Sequence, residues 1–151
     1  MKLIDIAVYN VNGQLTLAVE VKNKLETSND WAARMRRNVL AHGLVPKVRF
    51  FLLALPDRFY LWKDMEERIE IVKPTYEIDP RPFLHPYYKK SGLSPDRLSG
   101  QSFELIVTSW LGELLRADLS ADTLQHDQKW LLESGLLEAI AGGYVAAEVP
   151  A

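Results

Sequence analysis

The chain contains no cysteine, which rules out disulfides and thiolate zinc sites and fits a reducing compartment. Histidine is scarce: His42, His85 and His126 lie far apart in sequence, form no metal-ligand spacing and read as surface or capping residues. Long apolar runs are also missing. The longest, Phe50 to Pro56, is far too short to cross a bilayer, and residues 1 to 20 show no basic segment followed by a long apolar run, so no signal peptide is expected. There is no internal repeat, Gly-rich phosphate loop or nucleophile elbow. What remains is a cytoplasmic globular protein whose 151 residues, 48% of them hydrophobic, suffice for one core.

The net charge of −2 hides an asymmetry. Residues 1 to 63 hold ten Lys and Arg against five Asp and Glu, and the remainder holds eight against fifteen. A basic surface on the first part suits a phosphate backbone.

Asn12-Gly13 is the strongest short-range hairpin signal in the chain, and a two-residue turn there pairs residues whose numbers sum to twenty-five. Asp5 then falls opposite Glu20. Alternation puts Leu3, Asp5, Ala7, Tyr9, Ala18, Glu20 and Lys22 on one face, and Ile4, Ile6, Val8, Leu17, Val19 and Val21 on the other. The second face is entirely aliphatic and belongs to the core. Two carboxylates about 5 Å apart repel by roughly 3 kcal/mol at an effective dielectric near 20, so the opposed pair calls for compensation. Mg²⁺ would supply it, being held by one or two carboxylates plus waters and phosphate oxygens. The plainer alternative is that Lys22 neutralises its neighbours in an ordinary charge cluster. Charges inside an apolar strand favour function over that alternative.

At these residues the sequence resembles the PD-(D/E)XK nucleases, the restriction-endonuclease-like superfamily, which sets an acidic residue on one strand and Glu-x-Lys on the next. Asp5 and Glu20-Val21-Lys22 fall on those positions, and a helix from Asn29 to His42 and strands at Val48 to Ala54 and Phe59 to Trp62 follow. The similarity covers residues 3 to 63. Ile4 stands where a proline often precedes the aspartate, and the superfamily's usual helix before the first strand has no counterpart ahead of Leu3: it is lost, it is replaced by a C-terminal helix, or the start codon is assigned too late. The resemblance implies an α/β (α+β) fold with a mixed central sheet flanked by helices. It also implies Mg²⁺, with Mn²⁺ as a substitute, held by Asp5, Glu20 and the Val21 carbonyl, and Lys22 acting on the attacking water.

The expected organisation is a single domain over residues 1–151. Its nuclease-like sheet and helix occupy 1–73, a proline-rich irregular loop 74–100, and C-terminal helices 101–151. Thr27-Ser28-Asn29-Asp30 reads as a capping box and Gly43 as the helix stop. Trp31, Met35 and Val39 form a stripe expected to pack on the sheet. Leu55-Pro56-Asp57-Arg58 reads as a turn, and Glu70-Ile71-Val72 as a short edge strand or a helical turn. In 74–100, Phe83, His85, Tyr87, Tyr88, Lys89 and Lys90 mix rings with cations as single-strand binders do, although aromatic anchoring of a loop explains them as well. From Ser102, Phe103, Ile106, Val107, Trp110, Leu111, Leu114 and Leu115 make an apolar helical face. A second helix, capped by Ser120, runs to Gly135, and a short segment follows from Leu136 to Ala141.

The function expected from these features is metal-dependent hydrolysis of a DNA phosphodiester by Asp5, Glu20 and Lys22. Backbone contacts would come from Lys24, Arg34, Arg36 and Arg37, and a homodimer would form through the C-terminal helices. The alternative is an inactive relative that keeps the fold and binds nucleic acid or a protein partner.

Overall fold

The structure is a computed structural model that describes residues 3–41, 48–63, 71–116 and 124–150. Its frame is a mixed sheet of six strands: Leu3–Tyr9 (β1), Leu15–Val21 (β2), Phe50–Ala54 (β3), Phe59–Lys63 (β4), Tyr76–Ile78 (β5) and Tyr144–Pro150 (β6). Their order is β5-β4-β3-β2-β1-β6. Only β2 and β3 run parallel, and the helix Asn29–Ala41 (α1) makes the crossover that two parallel neighbours require.

The hairpin reaches its expected register by an unexpected route. Ile6 pairs with Val19, Ala7 with Ala18 and Val8 with Leu17, but Tyr9 pairs with Leu15. Asn10 Oδ1 accepts the N–H groups of both Asn12 (3.0 Å) and Gln14 (2.9 Å), and the Asn10 N–H reaches the Gln14 carbonyl (2.8 Å). The turn therefore holds Val11, Asn12 and Gly13, with Gly13 at φ +80°, the left-handed position on which three-residue hairpin turns end. That longer turn shifts the register by one, and an extra residue on β2 at Thr16 shifts it back.

Both sheet faces are covered. Ile6, Val8, Leu17, Val19, Phe50, Leu52, Phe59 and Leu61 pack under a helical layer made by Arg81–Ser91 (α2), Gly100–Arg116 (α3), Trp130–Glu133 (α4) and Leu136–Ile140 (α5). On the other side α1 lies over Ala7, Ala18, Phe51, Leu53, Tyr60 and Trp62. The α1 stripe is rotated from the expected one. Ala32, Ala33, Arg36 and Val39 are its buried positions, while Trp31 and Met35 flank them. Ile4 also changes sides, joining the α1-side cluster instead of that of Ile6. Ser28 caps α1, its Oγ accepting the Trp31 N–H at 3.1 Å. Ser28→Ala is expected to lose about 1 kcal/mol in urea denaturation, and an unchanged midpoint would show the cap to be idle.

The second half departs most from expectation. Segment 74–100 is not an irregular loop, since it holds β5, α2 and a 3₁₀ turn at Pro95–Arg97. Its prolines do not prevent a helix. Pro80 and Pro82 sit at the α2 start, where no amide donor is required, and Pro86 lies on the exposed side while Phe83, Leu84 and Tyr88 bury the other. The edge strand is Tyr76–Ile78, whereas Ile71 and Val72 form none. The apolar face of α3 is buried against its own sheet, and Trp110 and Trp130 are core residues. Between Leu124 and Gly135 there is a 3₁₀ turn at His126–Gln128 and one turn of α4 instead of a continuous helix. Residues 101–151 are not all helical either, because β6 pairs with β1 from Tyr9↔Tyr144 to Leu3↔Pro150. The expected caps and stop at His42, Gly43 and Ser120, with Glu70, lie outside the described residues.

Candidate functional site

Glu20, Val21 and Lys22 stand at the carboxyl end of β2, where the chain leaves for the crossover to parallel β3. Ligands of open α/β sheets collect beyond such strand ends. This end is fastened by three hydrogen bonds. Lys22 N–H donates to the Ala54 carbonyl at 3.0 Å, Val21 N–H to Asp5 Oδ2 at 2.8 Å, and Asn23 Nδ2 to the Leu98 carbonyl at 2.7 Å. Asp5, one step beyond the Ile6↔Val19 pair, thus meets β2 through its carboxylate, and the break in alternation at Ile4 falls beside it.

The structure brings the three predicted residues together. Lys22 Nζ lies 3.3 Å from Glu20 Oε1, with side chains 40% and 15% exposed. Burial, and then the charge of Asp5, hold the Glu20 carboxyl above the usual carboxylate range. Lys22 pulls it down and Glu104 on α3 pushes it up, with a smaller effect than either Asp5 or burial. Folded Glu20 therefore binds its proton more tightly than the unfolded chain does. Its stabilising contribution is complete below the unfolded value and is lost as pH rises through the folded one. Glu20→Gln, which mimics the protonated form, is expected to raise the urea midpoint at neutral pH but not at acid pH. Equal shifts at both would refute the assignment.

The donor set fits a hard divalent cation. The Asp5 carboxylate and the Glu20 carboxyl, the latter held above its usual range in part by the charge of Asp5, are oxygen ligands of the kind Mg²⁺ accepts with waters completing its shell. Asp5 Oδ2 takes the Val21 amide, and a carboxylate has about four lone-pair sites, so that bond is compatible with a cation. Among the described residues no group of three or more His, Asp or Glu could hold a metal, so protein ligands beyond these would not be carboxylates of a larger cluster.

The expected nucleic-acid contacts are only partly placed for that task. Arg34 is exposed and Arg37 half-buried, but Arg36 is 3% exposed on the buried side of α1 with Ala32 and Val39, where no phosphate reaches it. Lys24 Nζ sits 5.0 Å over the Trp31 ring. Sequence reasoning missed Glu104, which no local signal ties to Glu20. It also missed a groove of 760 Å³ between α2, α3 and β6 that none of Asp5, Glu20 and Lys22 lines. No described helix is long and apolar enough to cross a membrane.

Comparison of the chain with family models, with curated proteins and with solved structures finds no match in any of the three.

Proposed function

We propose that this protein is a metal-dependent nuclease of the PD-(D/E)XK type that hydrolyses DNA phosphodiester bonds. The observation that carries the reading is the convergence of Asp5, Glu20 and Lys22 at one strand end, with Lys22 Nζ 3.3 Å from Glu20 and Asp5 bonded to the intervening residue's amide. Asp5, Glu20 and the Val21 carbonyl would hold Mg²⁺. A bound Mg²⁺ supplies Lewis-acid polarisation of a phosphoryl oxygen and a lowered pKa for water. Lys22 orients the attacking water and balances charge building on the phosphorane oxygens, its ammonium aimed by Glu20. The Asp5 hydrogen bond to Val21 fixes the spacing between the two strands, so the carboxylates are held before substrate arrives. Phosphate contacts in this reading come from Arg34 and Arg37.

A second reading has its own support. The Lys22–Glu20 pair and the Asp5–Val21 bond also satisfy these charges without a cation, as an inactive relative that binds nucleic acid or a protein would need. Incubation with supercoiled plasmid and with single-stranded DNA in Mg²⁺, Mn²⁺ or EDTA separates the two. Glu20→Ala and Lys22→Ala are expected to lower metal-dependent cleavage by about 10² or more. Cleavage that survives Glu20→Ala removes this centre, and a folded wild type that cleaves nothing favours the inactive relative.

A further inference from the structure

The segment between α2 and α3 borders the strand end that bears Glu20 and Lys22. Leu98, 9% exposed, packs into the core under the helical layer, and its carbonyl accepts the Asn23 side-chain amide at 2.7 Å, across 75 residues of chain. Asn23 directly follows Lys22 and is itself exposed, so the bond moors the segment to the strand end without adding to the core. Just beyond Leu98, Ser99 Oγ accepts the Ser102 N–H at 3.1 Å as α3 begins. Just before it, the 3₁₀ turn Pro95–Arg97 is closed by the Arg97 N–H on the Ser94 carbonyl at 3.0 Å. The backbone is therefore held on both sides of Arg97.

Arg97 is an exposed cation on this moored segment. The cations of the strand end are already engaged, Lys22 with Glu20 at 3.3 Å and Lys24 over the Trp31 ring. Arg58 and Arg81 are paired too, with Glu77 and Asp79, whereas among the described residues no carboxylate pairs with Arg97. An arginine with no carboxylate on it keeps its whole fork of donors for an outside anion, and its plane matches two phosphate oxygens at once. The start of α3, three residues on, adds the positive end of a 17-residue helix dipole.

Followed through the Asn23 amide and the Leu98 carbonyl, the Lys22 and Arg97 Cα atoms lie at most ~16 Å apart, and each side chain reaches ~6 Å from its own Cα. Phosphates of one DNA strand advance ~3.4 Å along the axis, so a strand with one phosphate at Lys22 presents another to Arg97 within about five nucleotides. We infer that Arg97 is a substrate-binding residue of this centre: it grips a backbone phosphate of the DNA strand whose neighbouring phosphodiester is set at Lys22. The inference rests on the nuclease reading for the identity of the reacting phosphate. The contact itself is with the backbone and is the same for every base sequence.

Fluorescence anisotropy in EDTA reads the contact without cleavage, with a labelled DNA oligonucleotide, single-stranded and in duplex, as probes. For the probe that the wild type binds more tightly, Arg97→Gln is expected to weaken binding about tenfold and to lower the slope of log affinity against log salt by about one. Arg97→Lys should keep that slope and recover part of the affinity, because the charge remains and the fork does not. Arg116→Gln, ~24 Å along α3 from its start, is the control and should change neither. An equal loss in the control means a diffuse charge effect and overturns the inference. Unchanged affinity in Arg97→Gln overturns it too, as does a folded wild type that binds neither probe. Where the wild type cleaves in Mg²⁺, Arg97→Gln should raise KM about tenfold with kcat kept within about threefold, and the reverse split also overturns the assignment. A wild type that binds and does not cleave removes the nuclease reading, and the Arg97 contact is then decided by the anisotropy alone.

Discussion

Gly143→Ala is expected to lose about 3 kcal/mol or more and to loosen β6 from β1. A Cβ at this position would lie 1.8 Å from the Tyr9 carbonyl oxygen, 2.9 Å from its carbon and 3.0 Å from the Ile140 oxygen. All three are main-chain atoms, so no flexible side chain can swing away. The Gly143 N–H also donates to the Ile140 carbonyl at 3.0 Å, fixing the backbone on the other side. Relief therefore requires the strands to separate. Gly142→Ala is the control: its φ of +75° strains any side chain, but the nearest neighbour is the Val11 side chain at 3.7 Å, so a loss of about 1 kcal/mol is expected. Urea midpoints and amide exchange at Val145 and Val8 measure both. Equal losses in the two variants would mean that the Tyr9 contact is unimportant.

Trp110→Ala is expected to lose about 4 kcal/mol with little change in the urea m-value. Trp110 is 1% exposed, and its ring lies 5.5 Å from Phe59, 5.0 Å from Phe83 and 6.0 Å from Trp130, so one side chain joins β4, α2, α3 and α4. Its indole N–H donates to Gln128 Oε1 at 3.0 Å, and removing it strands that partner as well. Trp110→Phe keeps the ring contacts and should lose roughly half as much. The near-parallel Trp110 and Trp130 rings should give a coupled near-ultraviolet dichroism signal that disappears in both variants. Stability that survives Trp110→Ala would place the packing of the helical layer elsewhere.

The first half of the fold was legible because its signals are local. Asn12-Gly13, Ser28 and the apolar runs before and after Pro56 mark β1 through β4 and α1 to within a residue or two. Glu20 and Lys22 were legible as a pair because residues two apart on a strand share a face. Arg36 was not, because the helix phase was read from its bulkiest apolar residues. Ala32 and Ala33, being small, take the seats nearest the sheet and carry Arg36 inward with them. The prolines of α2 suggested a loop, yet two stand in its first turn and one on its exposed side. For β6 the only sequence cue is Val145 and Val149 after Gly142-Gly143. What makes it a strand is β1, more than a hundred residues away, and tertiary context of that kind outranks propensity. Glu104 and the groove between α2, α3 and β6 were hidden for the same reason.

The Leu3↔Pro150 pairing has a consequence for how the protein comes into being. While the chain is emerging from the ribosome, β1 can join β2 but remains the open border of an unfinished sheet. It becomes interior only when residue 150 has been made, through one of the longest loop closures the chain permits. The strand that bears Asp5 is therefore among the last to be secured, and a prematurely terminated product would carry the acidic residues without the frame that aligns them.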